Sequence, residues 1–283
     1  MGRLSSKVIA ITGASAGIGH AIARAAAAEG ATVVVSARRT DRLDQLVTQI
    51  RAAGGTALAV PGDVTDDADM RQLVDRAVHT YGRLDVMVCN AGIGYHGPLD
   101  DTPVEAMRHL VDVNVMGTFY AARAALVAMR QRGVGHIIAI SSIAGRRGVA
   151  GSSVYSATKA AQIGFIEGLR AEFSGTRLHA SVVYPVSTTT EFHDAIARTY
   201  GHAVSGTGPR QSPEVVAQSV VRCILSPQAE VYPYRSAWWL SVMSVVAPKQ
   251  TDRFIKRFGR RRTPYQPSDV ELANPERPEK NDA

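Results

Sequence analysis

Residues 7 to 29 constrain the fold more than any other stretch. Lys7 to Thr12 (KVIAIT) is a short apolar run, Thr12-Gly13-Ala14-Ser15-Ala16-Gly17-Ile18-Gly19 is a glycine-rich turn, and an alanine-rich helical stretch runs from about Ile18 to Glu29. The order is strand, turn, helix. Glycines let a backbone turn sharply and approach a pyrophosphate closely, while the free amides at the helix start meet its negative charge. Gly13, Gly17 and Gly19, with Ser15 and Ile18 beside them, are therefore candidates for holding phosphate.

The alternation then repeats. Thr32 to Ser36 (TVVVS) reads as a second buried strand, Arg42 to Ala53 as a helix and Thr56 to Val60 as a third strand, with another helix starting near Asp66. Leu84 to Val88 is a fourth strand, and a long helix from Pro103 to about Arg130 carries the polar Asn114 inside VDVNVMG. His136 to Ser142 (HIIAISS) is a fifth strand, and a helix bearing Tyr155 and Lys159 leads to a sixth at Leu178 to Val183. Strands alternating with helices at this spacing predict an α/β fold, a doubly wound parallel sheet whose ligands bind beyond the carboxyl ends of the strands.

Residues with useful chemistry fall at those ends. The second strand closes on Ser36-Ala37-Arg38-Arg39 with no acid until Asp41. An acid here holds a ribose 2′-hydroxyl, whereas an arginine accommodates a 2′-phosphate. NADP(H) is thus the expected cofactor, with Arg38 as the main phosphate partner and Arg39 as a second. Asp63 and Val64 offer a carboxylate and an amide to an adenine edge, and Asp63 equally suits a cap for the helix near Asp66. Asn90-Ala91-Gly92 is a turn whose small residues leave room for a ribose.

Ser142 precedes Tyr155 by thirteen residues, and Tyr155 and Lys159 are four apart, so they share one helix face. A phenol loses its proton at about pH 10, and a nearby positive charge favours the phenolate, bringing it toward a range useful for proton transfer. Ser142 can hold a carbonyl or alcohol oxygen beside that phenol. Asn114 needs partners in its apolar setting. It either bends its helix by bonding to backbone or holds a water behind Lys159.

Together and in order, these residues resemble the classical short-chain dehydrogenase/reductase family over about residues 5 to 235. Thr12-Gly13-x-x-x-Gly17-Ile18-Gly19 resembles its cofactor turn, Asn90-Ala91-Gly92 its structural turn, and Asn114, Ser142, Tyr155 and Lys159 its catalytic tetrad. The resemblance implies a Rossmann-type single domain and hydride transfer between the nicotinamide and a carbon bearing oxygen. Tyr155 would be the general acid or base, Ser142 would orient the oxygen, and Lys159 would hold the ribose and lower the tyrosine pKa. Asn114 would place a water that links Lys159 to solvent. It further implies a homodimer or homotetramer built on the helices around 103 to 130 and 154 to 173, and a mobile segment over the substrate at about 187 to 212. Pro185 is followed by Val186 where the family usually has glycine, with Thr188 and Thr190 as hydroxyl donors nearby; Ala16 stands where many NADP-preferring relatives are basic. The competing expectation is an NADP(H)-binding sensor or scaffold without turnover, against which the complete tetrad argues.

Charge places the remaining expectations. The net charge of +7 is concentrated in one stretch: Lys249 to Arg262 holds seven basic residues and one acid, Asp252. A basic segment this short argues against nucleic-acid binding by the main domain. Two cysteines, Cys89 and Cys223, make neither a disulfide framework nor a metal site. With no signal peptide and no transmembrane helix evident, a cytoplasmic enzyme body is expected on residues 1 to 235. Residues 236 to 262 form an extension that begins with an apolar stretch, Ala237 to Ala247, holding both tryptophans, about half of what crosses a bilayer. Two readings stand for it: a cover for an apolar substrate pocket or subunit interface, or a peripheral membrane contact. Residues 263 to 283 are polar and Pro-rich, which predicts a disordered tail.

Overall fold

β1 (Val8–Thr12) is buried at every position. Its alternate residues serve two cores, Ile9 and Ile11 on one side of the sheet and Val8 and Ala10 on the other. A strand buried on both faces belongs in the middle of a parallel sheet covered by helices. The computed structural model, which describes residues 2–200, 202–205, 209–256 and 261–264, has that arrangement. After β1 come α1 (Gly17–Ala28), β2 (Thr32–Ser36), α2 (Thr40–Ala52), β3 (Thr56–Ala59), α3 (Asp67–Tyr81) and β4 (Val86–Cys89). The second half holds α4 (Val104–Val111), a π turn (Asp112–Met116), α5 (Gly117–Arg132), β5 (Val134–Ile140), α6 (Ile143–Arg146), α7 (Ser153–Glu172) and β6 (Arg177–Val183). Then follow β7 (Ser187–Thr188), α8 (Phe192–Tyr200), β8 (His202–Ser205), β9 (Arg210–Gln211), α9 (Pro213–Leu225) and β10 (Glu230–Val231). α10 (Ala237–Val246), α11 (Pro248–Lys256) and β11 (Arg261–Pro264) close the described chain.

The main sheet runs β3-β2-β1-β4-β5-β6-β10, and every neighbouring pair is parallel. Residues of α1, α2 and α9, such as Ile22, Leu43 and Val220, fill one core, and residues of α3, α5 and α7, such as Leu73, Ala125 and Ile166, fill the other. The winding reverses between β1 and β4, which opens a crevice at their carboxyl ends.

The helical stretch expected from Pro103 to about Arg130, interrupted at Asn114, is two helices joined by the π turn that contains Asn114. The Gly117 amide donates to the Asp112 carbonyl, five residues back. Gly117 also lies against α3's approach, where a Cβ would come within 2.8 Å of the Val64 side chain. By length and composition the continuous stretch 104–132 could cross a membrane, but 56% of its apolar window is buried against the sheet and its neighbours, as in a core helix. Asp66, not Asp63, caps α3, its carboxylate accepting from the Ala68 amide at 2.7 Å. The mobile segment expected at 187 to 212 holds β7, α8, β8 and β9, with β7 paired to β9 and β8 to β11. Of the tail expected at 263 to 283, Thr263 and Pro264 lie in β11, paired with β8, and 265–283 fall outside the described residues.

One buried charge ties the sheet's first strand to its fourth. Asp85, 4% exposed, accepts from the Val8 amide at 2.9 Å, from Arg83 Nε at 2.8 Å and from Arg132 Nη1 at 3.2 Å. Burial works to raise its pKa, and the hydrogen bonds from Arg83, Val8 and Arg132 outweigh it, so the carboxyl titrates below its ordinary range. A depressed pKa stabilises the fold above the unfolded carboxylate's pKa, and that contribution is lost as pH falls through the folded value. Asp85→Ala is expected to cost about 3 kcal/mol at neutral pH, as for breaking a buried pair. Urea unfolding should show the gap between variant and wild type closing as the pH is lowered through the acid range.

Candidate active site

Thr12 ends β1 and its hydroxyl accepts from the Asn90 and Ala91 amides at 3.0 and 3.1 Å, which locks the end of β1 to the turn after β4. Asn90 returns the bond: its Nδ2 donates to the Thr12 and Gly13 carbonyls at 2.9 and 3.1 Å. That crossing needs glycine on both sides. A Cβ on Gly13, whose φ is 65°, would sit 2.7 Å from the Ala91 Cα, and one on Gly19 would sit 2.4 Å from Asn90 Nδ2. Asn90 therefore braces the glycine turn, a role its place in the sequence does not reveal. α1 starts with no side-chain cap on its first amides.

These turns form the floor of a cleft of about 540 Å³. Its lining includes Gly13, Ser15, Gly17, Ile18, Arg38, Arg39, Asp63, Val64, Asn90, Ala91 and Gly92 at one end and Ser142, Tyr155, Lys159, Pro185, Thr188 and Thr190 at the other. Gly19 and Asn114 stand behind the wall. Arg39 donates from Nε and Nη2 to Ser15 Oγ at 3.3 and 3.2 Å, and its Nη1 pairs with Glu191 at 3.1 Å. Arg38, exposed, lies 3.7 Å from Asp63, whose carboxylate also accepts from the Thr65 amide at 3.0 Å.

At the far end Ser142 caps α6, its Oγ accepting from the Ala144 amide at 3.1 Å, which aims the hydroxyl proton elsewhere. Tyr155 and Lys159 rise from α7, with Lys159 Nζ 5.9 Å from the phenol ring centre. Lys159 is 4% exposed, and burial pushes its pKa down to about 7. Its ammonium donates to the Ile140 carbonyl and to Gln162 Oε1, both at 3.0 Å. Gln162 in turn donates from Nε2 to the Asn114 carbonyl and to Thr118 Oγ1, both at 2.7 Å. The Asn114 carbonyl thus accepts from a side-chain amide as well as from the Thr118 hydroxyl at 2.8 Å. The Asn114 side chain accepts from the Ile93 amide at 2.8 Å and donates to Thr158 Oγ1 at 3.0 Å. Gln162 went unnoticed in the sequence, although a glutamine three residues past the lysine, on the same helix face, is the visible signal.

A family model described as short chain dehydrogenase matches residues 7–201. Ketoacyl reductase HetN of Nostoc sp. is 34% identical over 265 residues, which cover 92% of this chain and 91% of that protein. This chain belongs to the short-chain dehydrogenase/reductase family. Among solved structures, a short-chain dehydrogenase/reductase of Burkholderia phymatum in complex with NAD shares the fold, with a TM-score of 0.77 at 23% identity over 95% of this chain and 100% of that one. A metagenomic short-chain oxidoreductase in complex with NADP has a TM-score of 0.70 at 30% identity, over 81% of this chain and 97% of that one.

Thr188 and Thr190 of this short-chain dehydrogenase both line the cleft and differ in how their hydroxyls are engaged. The Thr188 hydroxyl donates to the Val186 carbonyl at 3.0 Å, and Thr190 Oγ1 accepts from the Phe192 amide at 3.3 Å at the start of α8, which leaves the Thr190 hydroxyl proton to donate. Val186, in place of the usual glycine, is accommodated without strain: no non-glycine residue among those described has a positive φ. α8 brings Phe192 to 5.9 Å from the Tyr155 ring, closing an apolar end of the cleft with Ile93, Val113, Val149 and Ile196.

Proposed function

We propose that this short-chain dehydrogenase is an NADP(H)-dependent oxidoreductase acting on a carbonyl or secondary alcohol. The observation that carries the reading is the single cleft that joins the glycine turn and Arg38 to Ser142, Tyr155 and Lys159. The donor set suits the cofactor: a glycine turn with no room for Cβ atoms at Gly13 and Gly19, uncapped amides at the start of α1, and two arginines at the end of β2. When bound, the nicotinamide supplies or accepts the hydride. Arg38 and Arg39, with Ser15, hold the 2′-phosphate, and Asp63 accepts from the adenine edge. Tyr155 gives its phenol proton to the carbonyl oxygen in reduction and takes one from the alcohol in oxidation. Ser142 donates its hydroxyl proton to that same oxygen. Lys159 binds the ribose hydroxyls and eases the loss of the phenol proton. Charge on Lys159 costs free energy in so buried a place, and the Ile140 and Gln162 oxygens offset that cost.

The apolar end of the cleft favours an apolar carbonyl substrate, and the name of the Nostoc relative puts ketoacyl compounds first in a panel with ketones, aldehydes, quinones and steroids. Initial rates with NADPH and NADH test the reading. Tight cofactor binding without oxidation or reduction in either direction overturns it in favour of a sensor or scaffold. Arg38→Ala and Arg39→Ala are each expected to lower kcat/KM for NADPH about tenfold, the loss of one charge-assisted contact, and to leave NADH nearly unchanged. Equal losses with both cofactors would remove the phosphate-binding role. The catalytic unit spans residues 1 to 235, with 236 to 262 as its extension, and works as a homodimer or homotetramer through α4, α5 and α7, where Val104, Val111 and Val127 are exposed. Light scattering reads that mass directly.

A further inference from the structure

α10 is built inside out. Trp238, Trp239, Met243, Val245 and Val246 are 44, 63, 43, 82 and 74% exposed. At about 100° per residue they fall on one arc of the helix. The opposite arc, facing the protein, carries Ala237, Leu240, Ser241 and Ser244, and among the described residues the serine hydroxyls bond to carbonyls of their own helix, Ser241 to Ala237 and Ser244 to Leu240 and Ser241. A surface helix ordinarily presents the reverse. An apolar arc of this size on the outside marks a surface that something else covers.

The next helix shows what kind of partner fits. α11 is pinned to α10 by Thr251, whose hydroxyl donates to the Met243 and Ala247 carbonyls at 2.9 and 3.0 Å. It exposes Lys249, Arg253 and Phe254. Asp252, the one acid between Lys249 and Arg262, is paired with Arg147 and so cannot neutralise this strip. Apolar side chains with two tryptophans, beside Lys249 and Arg253 on the next helix, match a bilayer with anionic headgroups, where the rings sit at headgroup depth and the cations meet phosphate. A second copy fits poorly: a two-fold interface sets each patch against itself and would bring two strongly basic strips together. With ten residues α10 is too short to span, so it lies on the surface.

We propose that α10 and α11 form a docking surface that holds this protein on an anionic lipid membrane. The proposal stands apart from the reaction assigned above. It also has a consequence for the cleft, because α10 packs on α6, the helix that Ser142 caps, and Arg147 just after α6 holds α11. The membrane therefore meets the protein next to the substrate end.

Both tryptophans of the chain lie in α10, so intrinsic tryptophan emission reports on this surface alone. Full-length protein mixed with vesicles of phosphatidylglycerol and phosphatidylcholine is expected to float with them and to shift its emission to shorter wavelength. Vesicles of phosphatidylcholine alone should do neither, and high salt should weaken the attachment. Lys249→Glu/Arg253→Glu and Val245→Ser/Val246→Ser are each expected to lower the floated fraction at least tenfold while melting at the wild-type temperature. Wild-type protein that stays at the bottom of the gradient with anionic vesicles overturns the proposal. So does a Val245→Ser/Val246→Ser variant that floats as before but halves in mass, which would assign the face to a second copy.

Discussion

Tyr155→Phe is expected to lower kcat by about 10³-fold, the scale of a removed general acid. The NADPH dissociation constant should stay within about fivefold, the size of one lost hydrogen bond. Phenylalanine keeps the packing around the ring. The ring still packs 5.9 Å from Phe192, α7 is unchanged, and Lys159, which touches Gln162 and the Ile140 carbonyl, keeps both acceptors. What is gone is the hydroxyl, and with it the proton that the proposed mechanism places on the substrate oxygen. Initial rates in both directions, beside a fluorescence titration of NADPH, separate the two quantities. A variant that retains more than about a tenth of the wild-type rate would mean that the proton reaches the substrate from another group, with Ser142 the first to examine.

How far such reasoning reaches from sequence alone depends on whether a feature is local. The alternation of strands and helices is local: Val8 to Thr12 announces its strand through its own apolar run, and the helix after the glycine turn through its alanines. The residues of the cleft were legible for the same reason, since strand ends in a doubly wound sheet converge whatever the rest does. What escaped depends on contacts between distant segments. The π turn widens α4 and α5 at Asn114, whose side chain bonds Ile93 and Thr158, 21 and 44 residues away. Asp63 and Asp66 are equally good caps by type, and only the backbone path decides that Asp66 serves α3. α10 carries the same lesson: its ten apolar-rich residues read alike whether they cover a pocket or face outward, and only the burial of Ala237, with the packing of Ser241 and Ser244, shows which arc points in. The segment after β6 hid Thr188's bond to Val186 in the same way.

Gln162 is the residue where that missing information bears on chemistry, and Gln162→Leu is expected to lower kcat about 10²-fold by a route that pH exposes. Leucine matches the volume of the fully buried glutamine and removes its three polar contacts: one to Lys159, one to the Asn114 carbonyl and one to Thr118. Burial already lowers the Lys159 pKa to about 7, so its charged form depends on the oxygens that face it. Losing the Gln162 carbonyl leaves Ile140 alone among those acceptors, which disfavours the ammonium and moves the pKa further down. The sign follows from the charge: the ammonium exists below its pKa, so lowering that pKa removes the positive charge beside Tyr155 at a lower pH than in wild type. The alkaline limb of kcat/KM for carbonyl reduction should therefore shift toward acid in Gln162→Leu, and the variant should recover part of its loss as the pH is lowered. A glutamine that only fills space would give a profile of unchanged shape, scaled down or not at all. The same substitution leaves the Asn114 carbonyl without its amide partner. That carbonyl still accepts from the Thr118 hydroxyl at 2.8 Å, so the substitution leaves it partnered and its main effect falls on Lys159. The position of the limb, rather than the height of the profile, thus decides whether Gln162 sets the charge state of Lys159.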